Sequence, residues 1–165
     1  MLMLTVTLII ACVVAAFACG HSFDTVDDSI SANIVASDWD EDGYSRYIIF
    51  DHLSGDPVDL NSIEINLANR SSAKDKTVVS NQDDPTGPNL NGHKYIENYG
   101  GDGTIVTVGD RFILRVDDVE GDEIYWKNAG ADTRFSVQAD EYLNYRIIDL
   151  RSGRAISAGS IPVEI

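Results

Sequence analysis

The sequence predicts an N-terminal hydrophobic α-helix followed by an all-β antiparallel sandwich. The first 19 residues contain no charged residue, proline or glycine. As a helix they would be roughly 28 Å long, close to the roughly 30 Å of a bilayer core. Beyond them, β-branched and aromatic runs alternate with turn residues, as in antiparallel sheets. We therefore expect a helix over residues 1–20, a connector over residues 21–29 and a β-domain over residues 30–165.

The apolar segment allows four interpretations: a secretory signal, a lipoprotein signal ending at Cys19, a plain membrane anchor, or a helix that packs against copies of itself. A secretory signal normally opens with basic residues, yet the first basic residue of the chain is Arg46. Small residues allow close helix packing in membranes, which favours the packing helix. Its predicted contact residues are Leu4, Ile9, Ala11, Val14, Ala15 and Ala18.

Composition narrows the class of the β-domain. The chain has 27 acidic and 12 basic residues, a net charge of -15. This balance argues against nucleic acid as a partner, because binding nucleic acid requires a basic surface. A hydrophobic fraction of 44% argues against a disordered acidic tail. The β-domain contains no cysteine, so we expect its stability to come from an apolar core.

The β-domain shows eight strand-like segments, in addition to one short edge strand within a loop. Residues 62–68 carry the clearest signal, because Ile63, Ile65 and Leu67 alternate with polar residues. Residues 71–94 form a predicted long loop with one short edge strand near Thr77. Residues 151–154 predict a hairpin turn between two final strands. The other predicted strands span residues 30–36, 44–52, 103–108, 111–117, 133–138, 142–150 and 155–165.

One acidic motif suggests a calcium site. Asp38, Asp40 and Asp42 precede Gly43 with the spacing of the first half of a calcium-binding loop. The glutamate expected at the twelfth position is replaced by Ile49. An acidic turn between two strands, without an ion, is the simpler interpretation. Calcium is the one cofactor that the sequence suggests.

A second motif is a candidate glycosylation site. Asn69 begins the only Asn-x-Ser/Thr sequon, at the start of the predicted loop. A glycan on Asn69 would fit an extracellular β-domain.

Arginines concentrate in two of the predicted strand regions. Arg146, Arg151 and Arg154 lie in the C-terminal hairpin, and Arg111 and Arg115 lie in another strand. The ordinary interpretation is pairing with the abundant carboxylates. The alternative is a subunit contact, in which basic strands of one copy face acidic loops of the next.

No catalytic residues are predicted. The histidines His21, His52 and His93 are isolated and lack metal-ligand spacing. Aspartates are so frequent that pairs of them say little about acid–base catalysis. We therefore expect a protein that is not an enzyme.

Several segments together resemble archaeal type IV pilins. The run MLMLTVTLIIACVVAAFACG resembles the middle and end of their assembly helix. An Asp-Gly turn, the strand YIIF at residues 47–50, and residues 52–60, 108–112 and 145–153 are also similar to that family.

This resemblance implies a structural subunit of a surface filament, used for adhesion, with a pilin-type or immunoglobulin-like β-domain. Its partners would be identical or related pilin subunits, bound through the N-terminal helix, and the chain would sit in the cell membrane before assembly. The family also implies a basic leader and a Ser-Pro stretch before the part that matches, so we expect them upstream of Met1. The alternative is a cell-surface β-sandwich binding module, held by a membrane anchor or a lipid.

Overall fold

The computed structural model describes residues 29–72, 74–127 and 134–165, and these residues form an all-β structure. They contain thirteen strands arranged in four antiparallel sheets. In chain order the strands are Ala32–Glu41 (β1), Arg46–Gly55 (β2), Val58–Asp59 (β3), Ile63–Asn69 (β4), Lys76–Ser80 (β5), Ile96–Asn98 (β6), Ile105–Val106 (β7), Arg111–Arg115 (β8), Asp118–Glu120 (β9), Glu123–Lys127 (β10), Arg134–Gln138 (β11), Tyr142–Asp149 (β12) and Arg154–Pro162 (β13).

The predicted fold class, a helix followed by a sandwich, is wrong for this part of the chain. The described residues contain no helix, and their strands divide among four sheets. After β8 the chain leaves the four-stranded sheets, forms the separate sheet β11-β10-β9, and returns to a four-stranded sheet with β12 and β13. The predicted helix over residues 1–20 lies outside the described residues, as does nearly all of the connector.

Across the described ranges, no helix is long and apolar enough to cross a membrane.

Two four-stranded sheets enclose one apolar core. Sheet I has the order β1-β2-β8-β6 and sheet II has the order β13-β12-β4-β5. Phe50 of sheet I stacks on Phe112 of the same sheet, with ring centroids 5.0 Å apart. The ring of Phe50 is also nearly perpendicular to the ring of Tyr145 from sheet II, with ring centroids 5.2 Å apart. Aromatic contacts therefore connect the inner faces of the two sheets.

Sheets I and II are joined along one side, where β1 lies beside β13. The indole Nε1 of Trp39 donates a hydrogen bond to the carbonyl of Pro162 at 2.7 Å. The hydroxyl of Ser157 donates to the carbonyl of Ile34 at 2.6 Å. On the opposite side, β5 is the edge strand of sheet II and β6 is the edge strand of sheet I.

Several strand predictions are confirmed. The alternating segment is β4, with Ile63, Ile65 and Leu67 fully buried. The expected edge strand is β5, and the C-terminal hairpin is β12–β13, with Gly153 at φ +68° in its turn. The short strands β3, β6, β9 and β10 were not predicted.

The segment between β5 and β6 is held to the protein at its start and near its middle, although the sequence predicted an exposed loop. The side chain of Asn81 donates to the carbonyl of Ile96 at 2.7 Å and accepts from its N–H at 2.8 Å. The buried carboxylate of Asp117 accepts from the N–H groups of Thr86 and Gly87 at 2.7 and 3.0 Å. This segment therefore depends on two polar anchors.

Substitution of Gly87 by alanine is expected to destabilise this segment. A Cβ atom at this position would overlap the carbonyl oxygen of Asp117, so backbone must shift. We expect a loss of about 1–3 kcal/mol in the free energy of unfolding, measured by urea denaturation. Gly103→Ala is the matched control, because a Cβ atom there meets nothing within 4 Å. Equal effects of the two substitutions would contradict this prediction.

The turn of the C-terminal hairpin is organised by Asp149. Its side chain is 1% exposed and accepts from the Ser152 hydroxyl at 2.7 Å and from Arg151 Nε at 3.3 Å. Burial alone would raise the pKa of Asp149, but the hydrogen bonds from Ser152 and Arg151 outweigh it and lower the pKa below its usual value. The ionised form of Asp149 therefore stabilises the fold.

This lowered pKa predicts a pH-dependent contribution to stability. The contribution of Asp149 is present above the ordinary aspartate pKa of about 4 and is lost as the pH falls through the folded-state pKa. Asp149→Asn should cost about 1–2 kcal/mol at neutral pH, and its difference from the native chain should shrink below about pH 4. Thermal melts between pH 2 and 7 would measure this, with the exposed Asp102→Asn as control. A difference that stays constant over this range would contradict the prediction.

Candidate interaction surface

The outer face of sheet II carries a row of small and polar side chains that points away from the core. Asn66 follows buried Ile65 in β4, and Arg146 follows buried Tyr145 in β12. Strand pairing places Arg146 beside Asn66, and Asn66 beside Val78 of β5. The register thus defines two adjacent rows across the sheet, Ala158–Arg146–Asn66–Val78 and Ser160–Asn144–Ala68–Lys76.

A groove of about 630 Å³ follows these rows. Residues of all four strands line it, so it crosses three strand spacings, or about 14 Å. Ala68 and Ala158 keep it open because their side chains are small. Its volume lies within the range of about 300–1,000 Å³ typical of ligand pockets. The groove is therefore large enough for a short peptide segment or a small ligand. We call it the sheet II groove.

The sheet II groove is cationic, although the chain is strongly acidic. Lys76 and Arg146 are the only charged residues in its lining. Neither forms an ion pair with any residue that the structure describes, and the same holds for Arg46, Arg70 and Lys74 elsewhere. In contrast, a carboxylate partner is present for Lys94, Arg111, Arg115, Arg134 and Arg151. In a chain of net charge -15, these two unpaired cations mark a surface that attracts anionic groups.

One polar atom of the groove lacks a hydrogen-bond partner. The side-chain oxygen of Asn66 is buried and accepts no bond within the described part of the chain. A buried acceptor without a donor costs free energy.

The predicted calcium residues lie along and just after a strand. Asp38 and Asp40 are exposed residues of β1, paired with Ile49 and Tyr47 of β2. Asp42 follows the strand. Residues 38 and 40 of one strand lie about 7 Å apart at the backbone, so they do not wrap around a common point. In the described ranges, no group of three or more His, Cys, Asp or Glu side chains is arranged to hold a metal ion.

Asp42 instead belongs to an ion-pair cluster around Arg115. The guanidinium of Arg115 contacts the carboxylates of Asp42 at 2.8 Å and Glu97 at 3.0 Å, and it lies over the ring of Tyr47 at 5.6 Å. Burial would raise the pKa of Asp42, but Arg115 and the N–H groups of its own turn lower it overall. Burial also raises the pKa of Tyr47 to about 12, with a further contribution from the charge of Asp40. The cluster ties the β1–β2 turn to β6.

The candidate glycosylation residue Asn69 ends β4 and is partly buried. Its Nδ2 donates to the carboxylate of Glu141 at 2.8 Å, and its Oδ1 accepts from the N–H of Ser71 at 2.7 Å. A glycan on Nδ2 would require the bond to Glu141 to change. Glycosylation of Asn69 stays a prediction.

The arginines of the predicted clusters have different environments. Arg111 pairs with Asp51 at 2.8 Å, and Arg151 pairs with Asp149 at 3.3 Å, so both follow the ordinary interpretation. Arg146 does not, because it lies in the sheet II groove without a carboxylate.

The predicted contact residues of the N-terminal segment, which are Leu4, Ile9, Ala11, Val14, Ala15 and Ala18, lie outside the described residues.

The groove itself was not predicted. Period-two alternation does place Asn66 and Arg146 on the outer face of their strands. It does not show that β5, β4, β12 and β13 are neighbours, and the groove depends on this strand order.

No protein-family model and no curated protein matches this sequence. The resemblance to archaeal type IV pilins therefore stays a prediction.

Proposed function

We propose that this chain is a structural subunit of a surface filament of the archaeal type IV pilus kind, used for adhesion. Its copies assemble through the apolar segment of residues 1–19 and display the β-domain outward. Identical or related subunits are its partners, the membrane holds the chain before assembly, and calcium has no part in this proposal.

The observation that carries this proposal is the division of the chain into two parts. Residues 1–19 are uncharged, and every one of the 27 acidic residues follows them. Uncharged segments gain dispersion contacts when they pack together in a dry filament core. The acidic all-β domain behind them keeps the assembled surface soluble. The resemblance of residues 47–60 and 145–153 to pilins supports the same function.

The substitution Ala15→Asp is expected to abolish filaments. A carboxylate inside an apolar contact loses its hydration without a compensating partner. Immunogold electron microscopy of cells that produce the full chain would show labelled filaments for the native sequence. We expect about tenfold fewer filaments, or none, for Ala15→Asp, because 1.4 kcal/mol of lost association already corresponds to tenfold.

Asp102→Asn is the control for this experiment, because it changes an exposed loop of the β-domain and leaves residues 1–19 intact. The proposal fails if native cells carry the chain on their surface without filaments. It also fails if Ala15→Asp leaves the filament number unchanged.

A second candidate is a cell-surface binding module held by an anchor or a lipid. The sheet II groove favours it, because its volume suits a ligand. This candidate predicts a single labelled layer at the membrane, with no filaments.

A further inference from the structure

We infer that the sheet II groove binds the acidic β9–β10 hairpin of a second copy of this chain. This contact rests on the proposed function, because it would join the β-domains of neighbouring subunits in the filament. The hairpin comprises residues 118–123, with the sequence DVEGDE.

The hairpin matches the groove in charge. Four of its six residues are acidic, and Glu120, Gly121 and Asp122 at its turn are exposed. Glu120 is also paired with Arg134 of its own chain at 3.1 Å, so Asp122 is the carboxylate of the tip that has no cation beside it among the described residues. The two-residue turn between β9 and β10, with Gly121 at φ +62°, presents these carboxylates at a narrow tip. Lys76 and Arg146 supply the two cations that the tip would meet.

The position of the two surfaces allows the contact to repeat. The groove lies on sheet II, and none of its lining residues belongs to the sheet β11-β10-β9 that carries the hairpin. A contact between two different surfaces of identical subunits is heterologous, and such contacts generate rings or open helical filaments. The proposed contact is thus of the type that a filament requires.

Zero-length carbodiimide cross-linking of native filaments tests the contact directly. This reagent joins a lysine amine to a carboxylate only when the two are in contact. We expect a ladder of linked chains on a denaturing gel, and peptides that join Lys76 to Glu120 or Asp122. The pair of Lys94 and Asp84, 2.7 Å apart within one chain, is the internal positive control. Exposed Lys74 is the control for non-specific coupling.

Two outcomes would overturn the inference. One is a Lys94–Asp84 product in intact filaments without any Lys76 product. The other is coupling of Lys76 to a different acidic segment, or to a protein other than this chain.

Charge reversal separates the contact from effects on folding. The pair Lys76→Glu and Arg146→Glu should lower the filament number at least about tenfold, because like charges at a contact repel. The pair Glu120→Lys and Asp122→Lys should do the same. A chain with all four substitutions should recover filaments, and such recovery requires a folded β-domain. Asp83→Lys with Asp84→Lys is the matched control on another acidic loop.

The failures of the two proposals are distinguishable. If native cells form no filaments, the proposed function fails. If filaments form, but both charge-reversed pairs assemble normally, the groove contact fails while the filament subunit stands.

Discussion

Replacement of Arg115 by methionine is expected to lower the free energy of unfolding by about 2–3 kcal/mol. The side chain of Arg115 is 5% exposed and pairs with Asp42 and Glu97, whose side chains are 30% and 27% exposed. Methionine keeps the aliphatic length but leaves two carboxylates without their cation. Urea denaturation can be followed by fluorescence of Trp39 and Trp126, because both are buried.

Arg111→Met is the matched control for Arg115. Arg111 lies on the same strand as Arg115 and pairs with Asp51 of β2, but its side chain is 54% exposed. Exposed ion pairs contribute about 0–1 kcal/mol, so this variant should remain close to the native chain. In addition, loss of Arg115 should raise the pKa of Asp42, which NMR titration would detect. Equal stability losses for the two variants would contradict the role of the Arg115 cluster.

Replacement of Asp117 by alanine is expected to cost about 3 kcal/mol, because it leaves several donors without an acceptor. The carboxylate is 3% exposed and accepts from the Tyr95 hydroxyl at 2.8 Å and from the N–H groups of Thr86 and Gly87. Burial and the bond to Asp117 raise the pKa of Tyr95. Hydrogen exchange should show that the backbone amides of Thr86 and Gly87 lose protection, whereas the amides of β4 lose less.

Tyr95→Phe is the matched control, because it removes one of these hydrogen bonds and should cost about 1 kcal/mol. The double variant should cost less than the sum of the two, since both remove the same bond. Unchanged protection of Thr86 and Gly87 in Asp117→Ala would show that Asp117 does not anchor this segment.

The longest patterned strands were predictable from the sequence. β4 and β12 alternate between buried and partly exposed residues, and Gly153 supplies the turn that closes the final hairpin. Local chemistry determines these features, so the sequence alone is sufficient. The strand β1 was predicted too short, because Asp38 and Asp40 indicate a turn. Pairing with β2 and burial of Trp39 override that local preference.

The sheet II groove could not be predicted from the sequence, because it depends on which strands are neighbours. Lys76 and Arg146 are 70 positions apart, and only the order β13-β12-β4-β5 brings their strands into one face. Likewise, nothing in the sequence around Arg115 and Asp117 distinguishes these two residues from ordinary residues of a strand. Their importance comes from partners at Asp42, Glu97 and Tyr95 that lie far away in the chain.

The most direct test of the filament proposal is immunogold electron microscopy of native cells, with an antibody against the β-domain. The account predicts gold particles spaced along thin filaments, and this chain as a repeating component of filaments sheared from the cells. Label confined to the membrane, with sheared filaments that lack the chain, would contradict it.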